Sequence, residues 1–327
     1  MLAFVFPGQG SQSVGMARPV AEASPAARGV FEAADAALGQ PLMRLAWEGP
    51  AEELDRTVNA QPALLAASIA FLRGLENART AAGEPALEPA FYAGHSMGQY
   101  SALVAAGALR LEEAVRLVRE RGRQMQASAE DGAMAAIIGL DDPQLPALIA
   151  AGRAHGEFGL ANRNSPGQIV VSGTRRAVEA AAEAARDLGA RRAVVLPVSV
   201  AAHSPLMARA AEGMRRALAD MPFADPSAPL LANADARLLT TGDACRAELI
   251  AHLTTGVDWV TAVEKMRAAG VTTFVEVGPG KVLTGLIRRI APDARVVSLD
   301  DPGGPDGLAA EAIGLSASPI GQPARTA

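Results

Sequence analysis

Gly94-His95-Ser96-Met97-Gly98-Gln99 is the stretch that decides how this chain is read. It follows the short apolar run Ala90-Phe91-Tyr92-Ala93 and precedes a helix-like run from about Gln99 to Gly107. That order predicts a strand, a sharp turn and a helix, with a serine at the apex. Glycines two residues to either side permit the strained backbone and let neighbouring chain pass close, so that the serine Oγ projects into solvent. The following helix aims unpaired N–H groups at that oxygen, where they favour negative charge. Such a turn is a nucleophile elbow. In a chain with 32 glycines the same string also arises as an ordinary tight turn, so its surroundings have to decide.

Working outward, Leu2-Ala3-Phe4-Val5-Phe6 reads as a buried strand that runs into the polar, glycine-rich loop Pro7-Gly8-Gln9-Gly10-Ser11-Gln12. Helical patterns follow at about 26–39 and 59–81, then the elbow, then Leu111 to Ser128 with its arginine-rich face. This alternation predicts a parallel α/β sheet. From about 132 the rhythm becomes strand (Met134 to Ile138), helix (Pro143 to Arg153), two strands (Gly159 to Asn162 and Gln168 to Ser172), helix (Arg175 to Leu188) and strand (Ala193 to Val198). That is the βαββαβ order of a ferredoxin-like unit. The expected fold class is therefore α/β: a hydrolase-like parallel-sheet domain formed by 1–130 and 200–302, interrupted by a ferredoxin-like subdomain at 131–199. A flexible tail is expected over 303–327, where Gly, Pro, Ser and Ala dominate.

At 327 residues and 50% hydrophobic content the chain is long enough to bury a substantial core. The single cysteine, Cys245, excludes an internal disulfide framework and a zinc-type cluster, so no metal is expected. No basic segment leads into a secretory apolar stretch, which makes a cytoplasmic protein the expectation. Apolar runs such as Leu64 to Leu72 are too short to span a bilayer, and a net charge of −5 argues against nucleic-acid binding. Only Lys265 and Lys281 are lysines among the 30 basic residues, so arginine is the default cation and a single arginine says little.

A serine at an elbow needs a base within hydrogen-bond reach. Four histidines are available. His95 adjoins the serine and reads as a structural partner of the turn; His155 lies in a polar loop; His252 sits in a helix-like stretch, Ala244 to Leu253. His203, where the chain re-enters the larger domain, is the better candidate, although a histidine at a loop start is often only a hydrogen-bonded surface residue. Acyl chemistry also needs oxyanion donors: the Met97 N–H by elbow geometry, and a second from another loop at the same sheet edge. Gln9 sits in such a loop, which reads equally as an exposed glycine turn.

Six motifs occur in order: Phe6-Pro7-Gly8-Gln9-Gly10-Ser11-Gln12, Gly94-His95-Ser96-Met97-Gly98, Arg121-Gly122, Asn164-Ser165-Pro166-Gly167-Gln168, His203-Ser204-Pro205-Leu206-Met207 and Glu276-Val277-Gly278-Pro279-Gly280-Lys281-Val282-Leu283. Together they make the chain resemble, from about residue 2 to about 291, the malonyl-CoA:acyl carrier protein transacylases of fatty acid synthesis and the related polyketide acyltransferases. The resemblance implies a malonyl-serine intermediate on Ser96, His203 as base and then acid, Gln9 and the Met97 N–H as oxyanion hole, and Arg121 on the malonyl carboxylate. It further implies supporting places for His95, Asn164 and His252, malonyl-CoA and an acyl carrier protein as partners, no cofactor, no nucleic acid or membrane, and a monomer. His203 in this family is oriented by a main-chain carbonyl instead of an aspartate.

Three positions depart from the family pattern. Gln99 stands where glutamate is usual, and on this reading leaves the nucleophile untouched. His252 stands where a glutamine usually supports the base, and Ala202 where many malonyl-specific members carry phenylalanine. A trans-acting polyketide acyltransferase with broader extender choice shares all the motifs. A serine hydrolase is a separate alternative that predicts an acid–histidine pair and no arginine for a carboxylate. Arg116, Arg119, Arg123, Arg288 and Arg289 form an expected docking patch for an acidic carrier protein.

Overall fold

A computed structural model describes residues 1–128, 131–196, 198 and 200–300, so the tail expected over 303–327 lies outside the described residues. Its strands, in chain order, are β1 (Leu2–Phe6), β2 (Phe91–Gly94), β3 (Gly132–Ile138), β4 (Phe158–Ser165), β5 (Gln168–Thr174), β6 (Arg192–Val195), β7 (Leu230–Leu231), β8 (Leu238–Leu239), β9 (Val257–Asp258), β10 (Thr273–Glu276) and β11 (Arg295–Ser298). They form two sheets in a mixed α/β architecture, ordered β11-β10-β1-β2-β7-β8 and β6-β3-β5-β4-β9.

In the first sheet all neighbours from β11 to β7 run parallel, and β8 closes the edge antiparallel. Both faces are covered, which is why β1 is apolar at every position. The strand period of two sends its residues to different cores. Phe4 and Phe6 join the larger core with the helices Pro25–Leu38, Thr57–Ala81 and Leu111–Ala127, while Ala3 and Val5 join the core under the helices Trp259–Ala268 and Val282–Ile290. The central strands β1 and β2 end together, with Phe6 opposite Gly94. Loop 7–12 and the serine turn therefore leave the sheet side by side at its carboxyl edge.

The second sheet is antiparallel from β6 to β4. Ala133, Ala135, Ile137 and Val171 pack beneath the helices Leu145–Arg153 and Arg175–Asp187, while Met134 and Val170 on the opposite face belong to the larger core. Its fifth strand is not legible in the chain's local rhythm: β9 comes from beyond 200 and pairs parallel with β4, Asn162 opposite Val257 and Arg163 opposite Asp258. Arg163 reinforces this seam by pairing with Asp142 at 2.7 Å and Asp258 at 3.4 Å. Register shifts in β4, between Leu160 and Asn162 and between Arg163 and Ser165, mark bulges of the kind that re-aim side chains beside functional sites. Among the described residues no helix is long and apolar enough to cross a membrane.

Candidate active site

The expected strand, turn and helix are present. β2 ends at Gly94, Ser96 takes the left-handed conformation with φ of 53°, and the helix Gly98–Ala105 begins two residues later. Such a conformation costs a non-glycine residue on the order of 1 kcal/mol and persists only where the surroundings over-determine it. They do so here through two glycines. A Cβ on Gly98 would lie 2.2 Å from the Phe6 carbonyl oxygen, and one on Gly94 would lie 2.1 Å from the Gln99 nitrogen. The turn is thus folded onto itself and against the end of β1 more tightly than any side chain permits.

Ser96 is half-buried, and its Oγ is not free in solvent as the isolated turn suggests. It lies 2.8 Å from His203 Nε2 and accepts a hydrogen bond from Arg121 Nη2 at 3.2 Å. His203 is itself buried and has φ of 62°, a second residue held in the left-handed region. Its Nδ1 faces two carbonyl oxygens, of His252 at 2.7 Å and Thr255 at 3.0 Å, neither of which can donate. The ring proton therefore sits on Nδ1, and Nε2 presents a lone pair to the serine hydroxyl. Burial pushes the His203 pKa down to about 4, aided by the positive charge of Arg121 and opposed by the two carbonyls.

His252 contributes through its main chain. Its ring is fully buried, stands edge-on to His203 with centroids 6.2 Å apart, and has both nitrogens without a partner among the described residues. Burial, Arg121 and His203 all hold it well below its ordinary pKa, so it is neutral. His95 turns away from the serine. Its Nε2 donates to Asn164 Oδ1 at 2.9 Å, and its ring meets Trp259 edge-on. These contacts tie the turn to the bulged strand β4. Burial lowers the His95 pKa as well. His155 is exposed, in the turn after the helix Leu145–Arg153, and takes no part in the hydrogen bonds around the serine.

Around the turn, the N–H groups of Ser96, Gly98 and Gln99 are taken by Asn233 Oδ1, the His95 carbonyl and the Ser96 carbonyl. The Met97 N–H has no acceptor among the described residues. Gln9 lies on the adjoining loop, exposed, its Nε2 donating to Thr57 Oγ1 at 3.2 Å.

Arg121 is 2% exposed, and no carboxylate among the described residues reaches it. Its Nε–H is buried without an acceptor, and burial pushes its pKa down, opposed by Tyr100. A buried guanidinium without a carboxylate partner among the described residues is a costly charge, and it stands beside the Ser96 hydroxyl.

Asn233 is the functional position that sequence reasoning misses. Buried after β7, it accepts from the Ser96 N–H at 2.8 Å and donates to the Gly94 carbonyl at 3.2 Å and to Gln99 Oε1 at 3.1 Å. Its own N–H goes to the buried carboxylate of Glu248, which pairs with Arg237 at 2.9 Å. Gln99 also donates to the Leu231 carbonyl, so it is a fully buried link in the clamp that holds the serine turn, without touching the Ser96 hydroxyl. Only a lone asparagine after the apolar pair Leu230-Leu231 hints at this in the sequence. Asn233→Ala leaves three buried partners unsatisfied. It is expected to lower stability by about 2–4 kcal/mol in denaturant titration and to slow acylation roughly ten- to a hundredfold.

The arginine patch needs correction. Arg119 is buried and donates to Asn59 Oδ1, so it is unavailable at the surface. Arg116 and Arg123 are exposed on one helix, and Arg288 and Arg289 on another, where Arg289 already donates to Gln168.

The Acyl transferase domain family matches residues 3–299. The malonyl CoA-acyl carrier protein transacylase of Escherichia coli (strain K12) is 46% identical over 302 residues, spanning 92% of this chain and 96% of its own. The solved acyl-carrier-protein-S-malonyltransferase of Bartonella henselae superposes with a TM-score of 0.90 at 42% identity, over 96% of this chain and 99% of that one. A malonyl-transacylase solved in complex with its type II PKS acyl-carrier protein gives 0.88 at 39% identity, over 95% and 99%. With a serine elbow, a carbonyl-anchored histidine and a match over nearly the whole described structure, the chain belongs to the acyl transferase domain family.

Proposed function

We propose that this acyltransferase moves a malonyl group from malonyl-CoA to the phosphopantetheine thiol of an acyl carrier protein, in fatty acid biosynthesis, without cofactor or metal and in the cytoplasm. The observation that carries this reading is Arg121: a buried guanidinium with no acid partner, donating to the nucleophile itself. Its geometry suits a carboxylate two bonds from the attacked carbonyl, which malonyl has and acetyl lacks.

In the first half-reaction the Ser96 hydroxyl gives its proton to His203 Nε2 as Oγ attacks the thioester carbonyl. Negative charge on the carbonyl oxygen is met by the N–H groups of Met97 and Gln9. Collapse expels the CoA sulfur, which takes the proton from Nε2, and leaves a malonyl ester on Ser96. The carrier's thiol then gives its proton to the same nitrogen and attacks the ester, and Ser96 recovers the proton as the new thioester leaves. The carbonyls of His252 and Thr255 hold the ring and its tautomer throughout, in place of an acidic third member.

Arg121 ties selection to reactivity. Its charge helps depress the His203 pKa, so pairing it with the malonyl carboxylate relieves that repulsion and makes the imidazole a stronger base once the right substrate is bound. Arg121→Ala is expected to cut kcat/KM for malonyl-CoA roughly a hundredfold or more, while acetyl-CoA changes little. Equal losses for both thioesters would reduce Arg121 to a structural role. Methylmalonyl-CoA serves as the third arm, because Ala202 stands next to His203 where many malonyl-specific members carry phenylalanine.

The finer architecture follows the same reading: a hydrolase-like body over 1–130 and 200–302, with a ferredoxin-like subdomain inserted at 131–199. Support comes from the four antiparallel strands β6-β3-β5-β4, numbered fourth, first, third and second within the insertion.

A further inference from the structure

Arg119 and Arg121 are two residues apart on one helix and so point to different sides. Arg121 enters the reaction centre. Arg119, 7% exposed, forms part of the wall of a separate cavity of about 290 Å³ under the helix Leu42–Glu48 and the turn that follows it. Its Nη1 donates to Asn59 Oδ1 at 2.7 Å, but its Nε–H is buried without an acceptor. No carboxylate among the described residues comes within ion-pair reach of it. The charge that acts on it is instead the like charge of Arg123, which adds to burial in lowering its pKa.

The cavity holds a second cation. Arg44 lines it and makes no hydrogen bond or ion pair among the described residues. Glu53, also at the wall, does not neutralise the pair, since its carboxylate is held by Arg56 at 3.1 Å. Asn59 is oriented by donating to the Glu53 carbonyl at 2.6 Å, which fixes its oxygen on Arg119. Arginine does not deprotonate in proteins, and a buried guanidinium is costly unless a negative group meets it. Two arginines that line one cavity, neither with an ion-pair partner among the described residues, in a space that admits several water-sized volumes, are the chemistry that recognises an oxyanion.

We infer that this cavity is a binding site, separate from the reaction centre, for a small oxyanion, a phosphate or carboxylate group, held by Arg119 and Arg44 against Asn59. Titration of the full-length protein with inorganic phosphate, and separately with acetate, followed calorimetrically, tests it. Repeating both titrations on Arg121→Ala removes any signal from the reaction centre. A saturable site is expected to survive that substitution and to weaken at least tenfold in both Arg44→Gln and Arg119→Gln. Arg44 is exposed, so its variant reports on the site without disturbing the core. Tighter binding of phosphate than of acetate identifies a phosphate ligand, and the reverse a carboxylate. Absence of saturable binding, its disappearance in Arg121→Ala, or indifference to Arg44→Gln overturns the inference.

Discussion

Ser96→Ala is expected to abolish the covalent intermediate proposed above. Mixed with malonyl-CoA and weighed intact, the wild-type protein should gain one malonyl group per chain, and the variant none. The effect is all-or-none because the other groups around the turn cannot substitute for the hydroxyl: the Ser96 N–H is bound by Asn233, the Met97 side chain is buried in the core, and His203 is anchored by two carbonyls with its lone pair on the serine. Folding survives the change, since the Asn233 clamp grips the backbone of residue 96 and not its side chain. An adduct of unchanged stoichiometry on the alanine variant would place the nucleophile elsewhere and undo the reading of the turn.

Replacing His203 has the next largest effect. Because this residue sits at positive φ, asparagine, which tolerates that backbone, is the cleaner substitution. His203→Asn is expected to slow acylation by about 10²–10⁴-fold, the usual contribution of general base catalysis, measured as single-turnover malonyl transfer. His155→Ala should leave the rate unchanged; a loss there with His203→Asn unaffected would reassign the base. The pH dependence carries a second check. With its pKa pushed down to about 4, His203 stays in the base form well below neutrality, so kcat/KM should hold from pH 7 to near 5 and fall as pH approaches 4. A fall centred near 6.5 would mean that the free enzyme's histidine is not desolvated.

The same shift bears on stability, with the same sign as for a paired carboxylate, because in both cases the folded state binds protons less readily than the unfolded one. An unfolded histidine titrates near 6.5, whereas the folded one resists protonation until about 4. Its contribution is therefore complete above 6.5 and is lost as pH falls from 6.5 toward 4, by on the order of 3 kcal/mol. His95 and His252 are shifted in the same direction by burial, so acid destabilisation over this window should exceed what His203 alone supplies.

Local patterns decided the elements and the candidate site residues in this chain. The apolar pentapeptide of β1, the glycines flanking Ser96 and the periodic helices are readable because turn strain, strand alternation and helix amphipathy act over a few residues. The six ordered motifs likewise single out His203, Arg121 and Gln9 without any contact being known. Tertiary structure decided what surrounds them. Asn233 meets Ser96 across 137 residues of chain, Gln99 turns out to be part of that clamp, and β9, at Val257, completes a sheet begun at Gly132. Exposure of the arginines was equally out of reach: Arg119, Arg121 and Arg123 read alike along the helix, yet one enters a cavity, one the reaction centre and one the solvent. The reason is that a buried polar group is specified by whichever distant atom satisfies it, and the cost of leaving it unpaired is settled only when the segments pack.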